Sequence, residues 1–219
     1  ASMFSFTYDA LPSRVVFGAA AVAKLPEELD RLGLKRALVL STPQQWAVAA
    51  EVSALLGDRF IGIFDRAVMH VPIETAREAR AEAQRLGADC AVAIGGGSTT
   101  GLGKAIALDS GLPILAIPTT YAGSEMTTIY GITEGGQKKT GRDPRVLPRT
   151  VIYDPLLTLS LPVGLSITSG INAKHTLFGK WGNREVENTF GFQSRNDNIN
   201  VGLFRSAQRA VLGTTRSDH

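Results

Sequence analysis

Cysteine and histidine are nearly missing from this sequence, asparagine is missing from most of it, and no apolar run is long enough to cross a membrane. The single cysteine, Cys90, cannot close an internal disulfide, and it lies in the apolar run Cys90-Ala91-Val92-Ala93-Ile94. A buried, inert thiol is the expectation there rather than a reactive one. A membrane-spanning helix needs about 18 or more consecutive apolar residues, so no membrane association is expected. The stretch up to Tyr8 lacks the basic-then-apolar order of a secretion signal, and the expected location is cytoplasmic. Internal repeats with a period of about 20–50 residues are also lacking, which excludes solenoids and propellers.

Excess charge of one sign is absent from most of the chain. The formal net charge is +3, yet seven Lys/Arg and four Asp/Glu fall from Lys174 onward, and sixteen of each precede it. A nucleic-acid reader needs a basic stripe on one face with aromatic platforms. The last part of the chain has only scattered charges with Phe178, Trp181, Phe190, Phe192 and Phe204 among them, so no nucleic-acid partner is expected. With 44% hydrophobic and 20% charged residues, the composition is that of a globular chain, not a disordered or fibrous one.

What is present is an alternation of short apolar runs with helix-like stretches, the pattern of a parallel sheet with crossover helices. Strand candidates are residues 14–17, 36–40, 60–64, 91–94 and 114–117; helix candidates are 20–32, 44–56, 72–86 and 99–108. In the third helix Pro72 suits the first turn, Glu74 and Glu78 favour its positive end, and Gly87 follows as a stop. The fold class is α/β, in which ligands sit beyond the carboxyl ends of the strands. Composition shifts near Asn172, the first asparagine; Asn183, Asn188, Asn196, Asn198 and Asn200 follow. Residues 174–219 lack a helical apolar period and receive no assigned fold.

The fourth strand candidate runs straight into Gly95-Gly96-Gly97-Ser98-Thr99-Thr100 and then into an apolar helix. Glycines permit a tight turn and let backbone amides approach a phosphate, while the positive end of the helix favours its charge. Ser98 and Thr99 are placed to cap the helix or bond a phosphate oxygen. The plainer reading is a turn that needs glycine for geometry alone. A Walker-type loop is excluded, because no Gly-Lys-Ser/Thr follows at the required spacing. The next strand ends in Pro118-Thr119-Thr120-Tyr121-Ala122-Gly123-Ser124-Glu125-Met126-Thr127. This hydroxyl-rich loop lies where parallel sheets carry their ligand loops, though a solvated turn would look the same.

These two loops in this order, with Met69-His70-Val71-Pro72, Thr133-Glu134-Gly135-Gly136 and the stretches 140–148 and 154–161, resemble the iron-type alcohol dehydrogenase and dehydroquinate synthase group. In its fuller wording the sequence resembles maleylacetate reductases, from roughly Phe4 to Ala173. The resemblance implies a Rossmann-like parallel sheet with helices on both faces and a dinucleotide across the glycine turn. Gly95, Gly96, Gly97 and Ser98 would meet the pyrophosphate, Thr119, Thr120 and Thr127 the nicotinamide side, Lys138 the cofactor ribose, and Ser41 and Thr42 the adenosine ribose. No acidic residue stands at the last position, which leaves NAD and NADP both open. The implied activity is reduction of maleylacetate to 3-oxoadipate with NADH or NADPH in aromatic-compound degradation, on a small dicarboxylate, by a homodimer. Arg142 and Arg145 could fork onto the substrate carboxylates, or Asp143 could satisfy one of them. His70 could donate to a carbonyl or be a half-buried structural residue.

The family pattern breaks after Ser169-Gly170-Ile171-Asn172-Ala173. Metal-dependent relatives have an aspartate where Asn172 stands and a histidine four residues on, whereas here Lys174 and His175 follow directly. With only His70, His175 and His219 available, no metal is expected. The expected division is a dinucleotide-binding domain over 3–153, the start of the family's second domain over 154–173, and an atypical tail over 174–219, with that helical second domain largely absent. The sequence is accordingly expected to represent a shortened or altered form with little activity. The alternatives are a metal-free alcohol or polyol dehydrogenase of the same group, against which Tyr121 speaks, and a dinucleotide-binding module without turnover.

Overall fold

The structure, a computed structural model, describes residues 13–159. The expectations for Asn172, His175 and the tail 174–219 lie outside the described residues. Six strands form one parallel sheet: β1 (Arg14–Phe17), β2 (Ala37–Leu40), β3 (Phe60–Phe64), β4 (Cys90–Gly95), β5 (Ile114–Pro118) and β8 (Thr150–Tyr153). Their order is β1-β8-β5-β4-β2-β3. Between them run α1 (Leu25–Arg31), α2 (Trp46–Ala54), α3 (Ile73–Leu86) and α4 (Gly97–Ser110), and β6 (Ile129–Glu134) pairs antiparallel with β7 (Gln137–Arg142) as a separate hairpin.

Side chains alternate across the sheet, so each strand feeds two cores. Val39, Val92, Ile94 and Ile117 pack with Leu25 and Leu29 of α1 and Val52 of α2 on one face. Leu38, Leu40 and Ala91 pack on the other with Ala76, Ala79 and Ala83 of α3 and Leu102, Ala105 and Ile106 of α4. The α3 alanines recur at helical spacing, and their small size lets the helix lie close to its neighbours. The Rossmann-like sheet with helices on both faces is therefore present.

Two expected helices begin later than the spacing suggests. Asp154 accepts from the amides of Ala20 (3.1 Å), Val22 (3.2 Å) and Leu156 (3.0 Å), which fixes Ala20 in a left-handed conformation. A short 3-10 turn follows, and the α-helix proper starts only at Leu25, where Pro26 fits the first turn. A similar 3-10 turn at Pro43–Gln45 precedes α2. The third helix ends at Leu86 with left-handed Gly87 at its carboxyl end, as its sequence implies.

Glu28 joins α1 to the sheet. It is 1% exposed, and its carboxylate receives Arg14 of β1 (2.9 Å), Arg31 (3.0 Å) and the Thr150 hydroxyl of β8 (3.2 Å). Burial alone would raise its pKa, but the hydrogen bonds and charges of Arg14 and Arg31 outweigh it and hold the carboxyl below its ordinary value.

Candidate active site

The chain leaves β2 for α2 on one face and leaves the adjacent β4 for α4 on the other. Such a change of face places a crevice at the carboxyl ends of the two strands, where doubly wound sheets bind their ligands. Gly95, Gly96 and Gly97 and the segment after Leu40 flank that crevice.

The glycines of the turn are required for different reasons. Gly95 has φ +140°, and a Cβ there would run into Gln45 Oε1 and the Thr99 side chain. Gly96 has an ordinary φ of −93°, so the unusual backbone falls on Gly95 alone of the three. A Cβ on Gly96 would press on Thr120 Cγ2 at 3.0 Å. Gly97 is exposed, and a Cβ there would meet only Ala122 Cβ at 3.7 Å. α4 starts at Gly97, two residues before the expected Thr99. Thr99 is buried and turns back to donate to the Gly96 carbonyl (2.9 Å), so it does not cap the helix. Gly97 and Ser98 thus form the first turn of α4, with its unpaired amides and positive end.

The hydroxyl loop closes over this turn. The Thr119 amide donates to the Gly95 carbonyl (2.9 Å), and its buried hydroxyl accepts from Gln45 Nε2 (2.7 Å). Gln45 thereby bridges the segment after β2 to the segment after β5 across the end of β4. Nothing in the local sequence marks it, because its partner lies 74 residues away.

The other expected residues are placed as follows. Ser41 is fully buried, with its hydroxyl donating to the Thr42 carbonyl (2.9 Å), while Thr42 is half-buried at the mouth of the crevice. The Thr127 hydroxyl is committed internally: it donates to the Ser124 carbonyl (3.0 Å) and accepts from Lys104 Nζ (3.2 Å) and the Ile129 amide (3.3 Å). Lys138 is exposed on β7, its chain lying over Gly131 of the hairpin partner strand. Arg145 is held by Asp143 (2.7 Å), the internal alternative for that pair, and Arg142 is exposed. His70 is exposed rather than half-buried; it and Val71 have positive φ, and their carbonyls receive the side chain and amide of Thr133. Cys90 is fully buried, and burial first, then Asp89, pushes its thiol far above the usual range, consistent with an inert role.

Beneath the loop lies a buried polar set. Glu125 is 2% exposed and accepts from the Tyr153 hydroxyl (2.8 Å); burial pushes both groups upward in pKa. Lys104 is pulled down to about 8 by burial, opposed by the charge of Glu125. Ser124 Oγ is buried with no hydrogen-bond partner.

The sequence profile of the iron-containing alcohol dehydrogenase family matches residues 12–155, which contain this whole site. The chain belongs to that family. It is 68% identical over 171 residues to a maleylacetate reductase of Burkholderia cepacia, covering 78% of this chain and 49% of that protein. It is 56% identical over 171 residues to maleylacetate reductase 1 of Cupriavidus pinatubonensis, covering 78% and 48%. The crystal structure of maleylacetate reductase from Agrobacterium tumefaciens superposes with a TM-score of 0.74 at 54% identity, over 78% of this chain and 49% of that one. The chain thus spans about half the length of the curated relatives it matches.

Members of the iron-containing alcohol dehydrogenase family are NAD(P)-binding oxidoreductases. The residues present fit such a cofactor: a turn without side chains opens onto the first amides of α4, and hydroxyls of the facing loop stand beside it. Among the described residues no group of three His, Cys, Asp or Glu could hold an ion. No described helix is long and apolar enough to cross a membrane.

Proposed function

We propose that the chain serves in the NAD(P)H-dependent reduction of maleylacetate to 3-oxoadipate. The observation that carries the reading is the glycine turn opening α4 at the crevice between β2 and β4, in a chain 68% identical to a maleylacetate reductase over 171 residues. Gly95, Gly96, Gly97 and Ser98 hold the pyrophosphate through backbone amides and the positive end of α4. Thr119 and Thr120 face the nicotinamide half, and Lys138 the ribose. Thr42 meets the adenosine ribose more directly than the buried Ser41. Neither is acidic, so nothing there repels a 2′-phosphate, and both NADH and NADPH are accepted.

When bound, a reduced nicotinamide would supply the hydride that the electron-poor double bond conjugated with the substrate ketone requires. The described residues contribute binding and orientation. Lys104 and Glu125 are enclosed and bonded within the protein, and we assign no proton donor among the described groups. Of the expected dinucleotide-binding part, 3–153, the described residues run from Ser13; most of the expected start of the second domain, 154–173, lies outside them, and the assembly is a homodimer, measurable by light scattering.

Fluorescence titration with NADH and NADPH tests binding, and the loss of NADH absorbance with maleylacetate against simple alcohols tests the substrate. Binding of both dinucleotides is expected, with only slow oxidation of NADH, by maleylacetate and not by simple alcohols. Absence of dinucleotide binding removes the reading, and turnover with alcohols instead moves the chain to another branch of the family.

A further inference from the structure

Lys104 is the largest fully buried side chain among the described residues, 1% exposed, and the cofactor assignment above makes no use of it. It lies on α4 about two turns in from the glycine turn. Its Nζ donates to the carbonyls of Ser124 (2.6 Å), Thr127 (2.7 Å) and Ile129 (2.6 Å), and reaches Thr127 Oγ1 at 3.2 Å. An ammonium has three N–H bonds, and here each one meets a carbonyl of a single short stretch. Burying an ammonium is costly unless it is hydrogen-bonded, and an apolar side chain of similar volume would fill the space without that cost. Packing therefore does not account for a lysine, whereas a demand for three donors at one point does.

The stretch that Lys104 holds is the far end of the loop whose near end covers the glycine turn. Thr119 is bonded to Gly95, Thr120 lies against Gly96, and Ala122 lies beside Gly97. Both the turn and Lys104 belong to the same strand-to-helix unit, so the lysine sets the loop's position relative to the first turn of α4.

We propose that Lys104 is a positioning residue that ties α4 to the loop 119–127, so that the nicotinamide half of the dinucleotide meets hydroxyls in fixed places. The inference rests on the glycine turn holding a dinucleotide. Lys104 does not touch the cofactor. Its loss therefore falls on the nicotinamide half, while the adenosine and pyrophosphate engage residues it does not hold.

The test is Lys104→Met in the 219-residue chain, compared with wild type by hydrogen exchange and by titration with NADH and with ADP, which lacks the nicotinamide half. The amides of Met126, Thr127 and Ile129 should exchange at least about tenfold faster while those of β4 and β5 keep their protection. NADH affinity should fall at least about tenfold while ADP affinity stays within about twofold. If Lys104→Met does not fold, Lys104→Gln, which keeps two N–H donors, should give the same split in smaller measure. Wild-type loop exchange in a folded variant, or equal losses for NADH and ADP, would overturn the proposal. Failure of the cofactor assignment reads differently: wild type then binds neither dinucleotide nor ADP. The positioning role falls with it, and the exchange data still report whether Lys104 holds the loop.

Discussion

A carboxylate at position 97 separates the two reasons for having glycine after β4. Substitution at Gly96 disturbs Thr120 whether or not a phosphate binds, whereas a Cβ on Gly97 would meet only Ala122 at ordinary contact distance, on an ordinary backbone. Glutamate in the first turn of a helix stabilises it by about 0.3–1 kcal/mol. Gly97→Glu should therefore melt at or above the wild-type temperature, yet bind NADH at least about tenfold more weakly, because its charge faces the pyrophosphate. Unchanged affinity would take the phosphate away from the turn. A second prediction concerns Glu28. Its folded pKa lies below the ordinary value of 4.5, so the folded state binds fewer protons than the unfolded one just below that pH. The stabilisation is complete above about pH 5 and fades as the pH drops through the lowered value. Glu28→Gln should cost about 1–3 kcal/mol at pH 7, as for a hydrogen bond to a charged group, and urea melts should show the gap closing in acid. The glycine turn and hydroxyl loop were legible in the sequence because each is a contiguous run with a local mechanism. Gln45 and Lys104 were not, since their partners lie 74 and 20 to 25 residues away, and a polar residue at a helical position reads as solvated.

At the level of elements, β1 and β3 fall at the expected bounds, and β2, β4 and β5 within one residue of them, because short apolar runs between turns are what a buried parallel sheet demands. β8 was missed: Thr150-Val151-Ile152-Tyr153 is only four residues long and sits between prolines, so it reads as loop. The hairpin was missed for a different reason. β7 reads Gln-Lys-Lys-Thr-Gly-Arg and is almost wholly exposed, so it carries no apolar period. The usable signal was Gly135-Gly136, a two-residue turn in which both residues have positive φ, +56° and +74°. Hairpin turns of this kind favour Asn-Gly and Gly-Gly for that reason. Gly136→Val should destabilise the hairpin by about 1–2 kcal/mol, the cost of a left-handed conformation for a side chain. Gly135→Asn should be nearly neutral, within about 0.5 kcal/mol. Hydrogen exchange checks both: amides of β6 and β7 should lose protection in the valine variant while β4 and β5 do not change. Loss across the whole sheet would mean that the hairpin is part of one cooperative unit with it.

At the scale of the whole molecule, binding and turnover make different demands on the chain. The described residues supply the glycine turn and the hydroxyl loop beside it, and both are contained within the family match at residues 12–155. Hydride transfer also requires the substrate carbon and a proton donor held in contact with the cofactor, in a space that excludes water. Lys104 and Glu125, the enclosed ionisable groups beneath the hydroxyl loop, are both bonded internally, and the matched relatives are about twice as long as the matched segment. Positioning and general-acid catalysis are each commonly worth about a hundredfold or more. A polypeptide of these 219 residues should therefore bind NADH while reducing maleylacetate at least about a thousandfold more slowly than a full-length relative. Steady-state absorbance of NADH with saturating maleylacetate decides the matter. A rate near the typical enzyme value of about 10 s⁻¹ would mean that residues after Leu159, or a second copy of the chain, complete the active site.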